Sequence, residues 1–81
     1  MLSLPAVRPL VEIEWEDAKA LDFGPWVEDQ PYTYEPFIVR TVGYVLFQDD
    51  SGIVLTDSVA EGMTGGVHQI PKGMIRNIKY V

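Results

Sequence analysis

An all-β fold, a small bent barrel of five strands, is what this sequence predicts, and three observations predict it. Apolar and acidic residues alternate with a period of two from Leu10 to Trp15, β-branched and aromatic residues crowd the stretch 37–58, and Gly or Pro interrupts the chain where those runs stop. With 81 residues, 47% of them hydrophobic, the chain makes one small domain. A domain of this size buries only about 60% of the surface its unfolded chain exposes. The absence of Cys removes disulfide staples and thiolate metal sites alike. Dense packing, self-association, or both must then supply the stability.

Pro5 and Pro9 hold residues 1–9 extended, because each fixes its own φ and pushes the preceding residue away from helix. The barrel domain is residues 10–81. Its first strand opens with Val11, Ile13 and Trp15 on one face and Glu12 and Glu14 on the other. Residues 16–36 then mix acids with Pro25, Pro31, Pro36 and the aromatics Trp26, Tyr32 and Tyr34, which predicts a long ordered loop. Loops of that length are uncommon and are often functional.

The run 37–47 is too long for a flat strand, and Gly43 at its middle predicts a strong curve or a break. Residues 48–52, Gln-Asp-Asp-Ser-Gly, form a turn to a returning strand over 53–58. Residues 59–66 hold Gly62, Gly65 and Gly66 and are expected to be a mobile connection. A short strand over 67–70 stops at Pro71, a tight turn covers 71–74, and a last strand runs over 75–81.

Two apolar faces emerge from the central hairpin. Val42, Tyr44 and Leu46 alternate with Gly43, Val45 and Phe47, and Val54 stands opposite Ile53 and Leu55 on the return strand. A small barrel has one interior, so the second face needs a cover. Val45, Phe47 and Val54 are therefore candidate subunit-interface residues of a homo-oligomer, with coverage by the long loop as the alternative.

Twelve acids against six bases give a net charge of −6, unevenly placed. Residues 12–35 carry eight acids and one base, whereas 69–81 carry Lys72, Arg76 and Lys79 and no acid. Complementary ends of this kind can meet within the fold or between head-to-tail neighbours. An acidic chain is a poor general phosphate binder, and a mixed surface suits a protein partner better.

The segments Trp15-Glu16-Asp17-Ala18, Val42-Gly43-Tyr44 and Ile70-Pro71-Lys72-Gly73-Met74-Ile75, with Trp26 in the loop between them, resemble small phage-encoded proteins of unassigned function, cyanophage ones included. The resemblance implies an SH3-like/Sm-like barrel with a long loop after the first strand and a helical turn before the last. It also implies assembly into a cyclic ring and residence in the cytoplasm of an infected host cell. In the closing run Met74 stands where peptide-binding SH3 domains have Tyr, and the RNA-binding loops of Sm proteins are matched only by Asp49-Asp50-Ser51-Gly52 and Lys72-Gly73. Neither activity carries over from the resemblance.

One His, no Cys, no Gly-rich phosphate loop and no metal-ligand spacing predict a protein that is not an enzyme and uses no cofactor or metal. His68 in a short strand is expected to be a surface or structural residue. No signal-peptide pattern or apolar run of membrane-spanning length occurs, so a soluble cytoplasmic protein with no membrane partner is expected. The candidate ligand or partner contacts are Trp26, Tyr32, Tyr34, Lys72 and Arg76. The expected function is a self-associating interaction or assembly module that binds a macromolecular partner through its oligomeric surface. The alternative is a nucleic-acid or small-nucleotide binder in which Lys72 or Arg76 meets phosphate and Trp26 stacks on a base in a pocket at a subunit junction.

Overall fold

Alternation in the first strand becomes burial in the structure, a computed structural model that describes residues 8–21 and 24–81. Strand β1 (Leu10–Asp17) buries Val11 and Ile13 fully. Strand β2 (Phe37–Asp49) follows the loop, and a turn at Asp50 and Ser51 returns the chain into β3 (Gly52–Ala60). Strand β4 (Met63–Pro71), the one-turn 3-10 helix η1 (Lys72–Met74) and β5 (Ile75–Tyr80) complete the chain. The five strands form one antiparallel sheet in the order β4-β3-β2-β1-β5.

The all-β class is as the sequence predicts, but the sheet does not close. Its outer strands β4 and β5 are not paired with one another, so it is an open, curled sheet. The curl comes from β2, whose 37–44 half pairs with β1 while its 44–49 half pairs with β3. Gly43 lies where the two halves meet. A Cβ there would come within 2.8 Å of the Thr56 carbonyl oxygen, so the crossing needs the missing side chain. Val11 and Ile13 of β1, Ile53 and Leu55 of β3 and Ile70 of β4 thereby meet in one cluster, with Trp15, Val45, Ile75 and Ile78 packed around it.

Along β2 the exposure alternates, with Val39, Thr41, Gly43 and Val45 turned inward and Ile38, Arg40, Val42 and Tyr44 outward. The indole Nε1 of Trp15 donates to Thr41 Oγ1 at 3.0 Å, which fixes the inner rows of β1 and β2 against each other. A β-bulge then breaks the period. Val45 pairs with Leu55 and Phe47 with Val54, leaving Leu46 as the extra residue. The bulge moves Phe47 to the outer face and corrects the expected interface: Phe47 and Val54 stand opposite each other outside, whereas Val45 packs on the core.

The glycine-rich stretch 59–66 is also corrected. It is not a loose connection, because β3 and β4 remain paired from Gly52 and Pro71 out to Ala60 and Met63. Gly62 and Gly66 take φ of 70° and 60°, values L side chains rarely adopt. At Gly66 a Cβ would overlap the Asp57 carboxylate on the opposing strand. The glycines shape the ribbon rather than loosen it.

Of the extended N-terminal segment, residues 1–7 lie outside the described residues. Pro9 continues the line of β1, its carbonyl accepting the Val45 N–H at 2.9 Å, and on the other side of β1 the Val81 N–H donates to Leu10 O at 3.0 Å.

Candidate functional site

A concavity of about 680 Å³ lies between the end of β1, the described part of the long loop, and η1 with the start of β5. That volume is within the range of ligand-binding clefts. Glu16 is one of its lining residues. It pairs with Ile38 across the β1–β2 ladder, and its carboxylate accepts a hydrogen bond from the Tyr34 hydroxyl on one oxygen and from the Arg76 guanidinium on the other. Arg76 reaches it because of a second bulge. Glu14 pairs with Asn77 and Trp15 with Ile75, so Arg76 is the residue left over between them.

Three of the five predicted contacts, Tyr32, Tyr34 and Arg76, therefore share one wall-lined site. Trp26 does not line it and stands 93% exposed. Lys72 lines a smaller depression of about 360 Å³ near Asp49, Asp50 and Gly52, held there by its N–H donating to Ser51 O at 2.9 Å. In that turn the Ser51 hydroxyl and N–H both donate to Asp49, which holds the Asp49 carboxyl below its usual range. Asp49 is thus explained as a turn residue.

The electrostatics of the main cavity follow from its lining. Glu16, Asp17 and Glu35 face Lys19 and Arg76, and the Arg76 charge is already matched by Glu16. An anion entering there meets more acid than base, and the two bases proposed for phosphate, Lys72 and Arg76, open into different cavities. Tyr32, Tyr34 and Met74 offer ring faces and thioether to an apolar, neutral or cationic group instead.

The acidic and basic parts of the chain meet within the fold. β1 and β5 are neighbours, Arg76 bonds Glu16, and Lys79 stands opposite Glu12 in the ladder. On the other side of β1, Arg40 pairs with Glu14 at 3.4 Å. The charge segregation visible in the sequence was the signal for the β1–β5 pairing. Nothing in composition marked Glu16 as the residue joining loop and last strand.

His68 is exposed on β4, and no group of three or more His, Asp or Glu among the described residues is arranged to hold a metal ion. No helix among them is long and apolar enough to cross a membrane. Comparison of the chain with protein-family models, curated proteins and solved structures gives no match. The phage-type resemblance accordingly gains no support from them.

Proposed function

We propose that this protein is a non-enzymatic, self-associating interaction or assembly module, a small barrel of the SH3-like/Sm-like type that works as a closed cyclic oligomer and binds a macromolecular partner through the oligomer's surface. The observation that carries the reading is the area left uncovered. The described sheet leaves large apolar side chains exposed, among them Val42, Phe47, Met63 and Val67, and burying side chains of this kind is what holds a stable assembly together.

Other features agree. A meander of five strands with a long loop after the first and a helical turn before the last is the layout such barrels use, here open between β4 and β5. An open sheet carries two edges whose backbone groups lack a strand neighbour. β4 has no Lys, Arg, Asp or Glu to discourage pairing. The cavity beneath the loop, acid-rich and lined by tyrosines, is suited to a neutral or cationic side chain of the partner.

Static light scattering over a dilution series at low and high salt tests the proposal. The expected result is a multiple of 9.1 kDa that persists in high salt, because the contact would bury exposed apolar side chains such as Val42, Phe47, Met63 and Val67. A mass of 9.1 kDa at every concentration refutes it.

A further inference from the structure

The cavity beneath the long loop carries one negative charge that the fold does not neutralise. Of its charged lining residues, Glu16 and Arg76 are bonded to each other. Asp17 and Glu35 remain against Lys19, and none of these three makes an ion pair with a described residue. The lining is therefore short of one positive charge. Glu16 has no oxygen to spare for it, because one is taken by the Tyr34 hydroxyl and the other by the Arg76 guanidinium. Asp17 does: the Ala18 N–H, at 2.8 Å, occupies Oδ1 and holds the carboxylate beside the cavity with Oδ2 open among the described residues. Glu35, exposed and next in sequence to Tyr34, is the second open carboxylate.

The same walls suit a cation that has an organic body. Tyr32 and Tyr34 are 53% and 76% exposed, so the bond that holds the Tyr34 hydroxyl leaves most of its ring uncovered. Aromatic faces attract guanidinium and ammonium groups through the ring quadrupole. Met74 adds a thioether that packs on the aliphatic stem of such a side chain. The chain already displays this chemistry within itself, where the Arg76 guanidinium, the Glu16 carboxylate and Tyr34 come together. A bare metal ion fits less well, since no group of three or more His, Asp or Glu among the described residues is arranged to hold one. A concavity of about 680 Å³ holds more than one side chain and has room for a residue with its flanking backbone.

We infer that this cavity binds one basic side chain, the guanidinium of Arg or the ammonium of Lys, presented by a peptide segment of a partner protein. Asp17 and Glu35 meet its charge, and Tyr32, Tyr34 and Met74 meet its stem. Glu16 is a positioning residue, tying the loop through Tyr34 to β5 through Arg76. The inference rests on the proposed reading of the chain as a partner-binding module and names the chemistry its partner presents. It does not depend on self-association, because every residue it uses belongs to one chain. Exposed ion pairs contribute little each, so the single side chain binds weakly and gains strength only as part of a larger contact.

Titration of the full chain with a capped Gly-Arg-Gly tripeptide, read by amide NMR shifts, tests the inference. The expected result is a saturable shift confined to residues 16–19, 32–35 and 73–76. The citrulline counterpart, of the same shape without the charge, is expected to bind at least about tenfold more weakly. Asp17→Asn combined with Glu35→Gln, folded by circular dichroism, is expected to lose that preference. Butylguanidinium, the same cation without peptide flanks, is expected to bind more weakly than the tripeptide. No saturable shift, equal binding of the citrulline peptide, or a preference that survives in the double variant overturns the site. Butylguanidinium binding as tightly as the tripeptide overturns the assignment to a peptide. An oligomeric chain that ignores the Arg peptide removes this site and leaves self-association standing, whereas a monomeric chain that binds it does the reverse.

Discussion

The two halves of the β3–β4 hairpin have the same secondary structure and opposite surroundings. Near the turn from β2, Ile53, Leu55 and Ile70 are buried, and β3 has β2 on one side and β4 on the other. Past the Tyr44–Thr56 pair, β2 leaves to join β1, and β3 and β4 continue alone with every residue from Asp57 to Gln69 exposed. The difference lies in tertiary contact and not in β-propensity, since Val59, Thr64 and Val67 are as strand-favouring as Ile53 and Val54. A strand pair acquires a core only where a third element crosses it. Where none does, the same pattern stays at the surface.

The largest break in this contrast comes from the buried half. Leu55→Ala removes a fully buried side chain of the core cluster and is expected to cost about 2–5 kcal/mol in urea unfolding, a large share of the stability of an 81-residue domain. Gly43→Ala comes next, at about 1–3 kcal/mol, because its Cβ meets the Thr56 backbone at the crossing of the two sheet halves. Thr56→Val tests the boundary itself. The buried Thr56 hydroxyl has the carbonyls of Ser58, at 3.0 Å, and of Gly65 as acceptors for its one proton, tying the ribbon to the body. Its loss is expected to cost about 1–2 kcal/mol and to speed amide exchange in the ribbon before the body.

In the ribbon, Met63→Ser is expected to change the unfolding free energy by less than about 0.5 kcal/mol, because the side chain is 72% exposed. The smallest effect is electrostatic and belongs to the turn. Because the Ser51 donors hold the folded Asp49 below its unfolded value, that carboxylate contributes stability above about pH 4, lost as the pH falls through the folded value. Asp49→Asn should narrow its deficit against wild type as urea midpoints are taken from pH 6 toward pH 2.5.

The same contrast explains what was legible in the sequence. Strand β1, the β2–β3 turn and the helical turn before β5 follow from alternation, Asp-Asp-Ser-Gly and Pro71, all local signals. The extension of β3 and β4 was hidden because Gly62, Gly65 and Gly66 resemble a loose connection, and only the Asp57 carboxylate packed where a Gly66 Cβ would stand shows that the glycines fit a paired ribbon. The bulge at Leu46 has no sequence signature, yet it decides that Phe47 faces outward and Val45 inward. At the cavity, amphipathic loop aromatics beside acids pointed to Tyr32 and Tyr34. The separation of Lys72 from Arg76 depended on which side of η1 each emerges, and no period in the sequence reports that.

Amide hydrogen exchange as a function of protein concentration tests most directly the proposed self-association and whether the exposed β3–β4 ribbon takes part in it. The account predicts that amides of residues 57–67 are protected at high concentration and lose that protection on dilution, while Val11, Ile13 and Leu55 in the body keep theirs. Ribbon protection that does not change across the dilution series, at the level of the body, would contradict it.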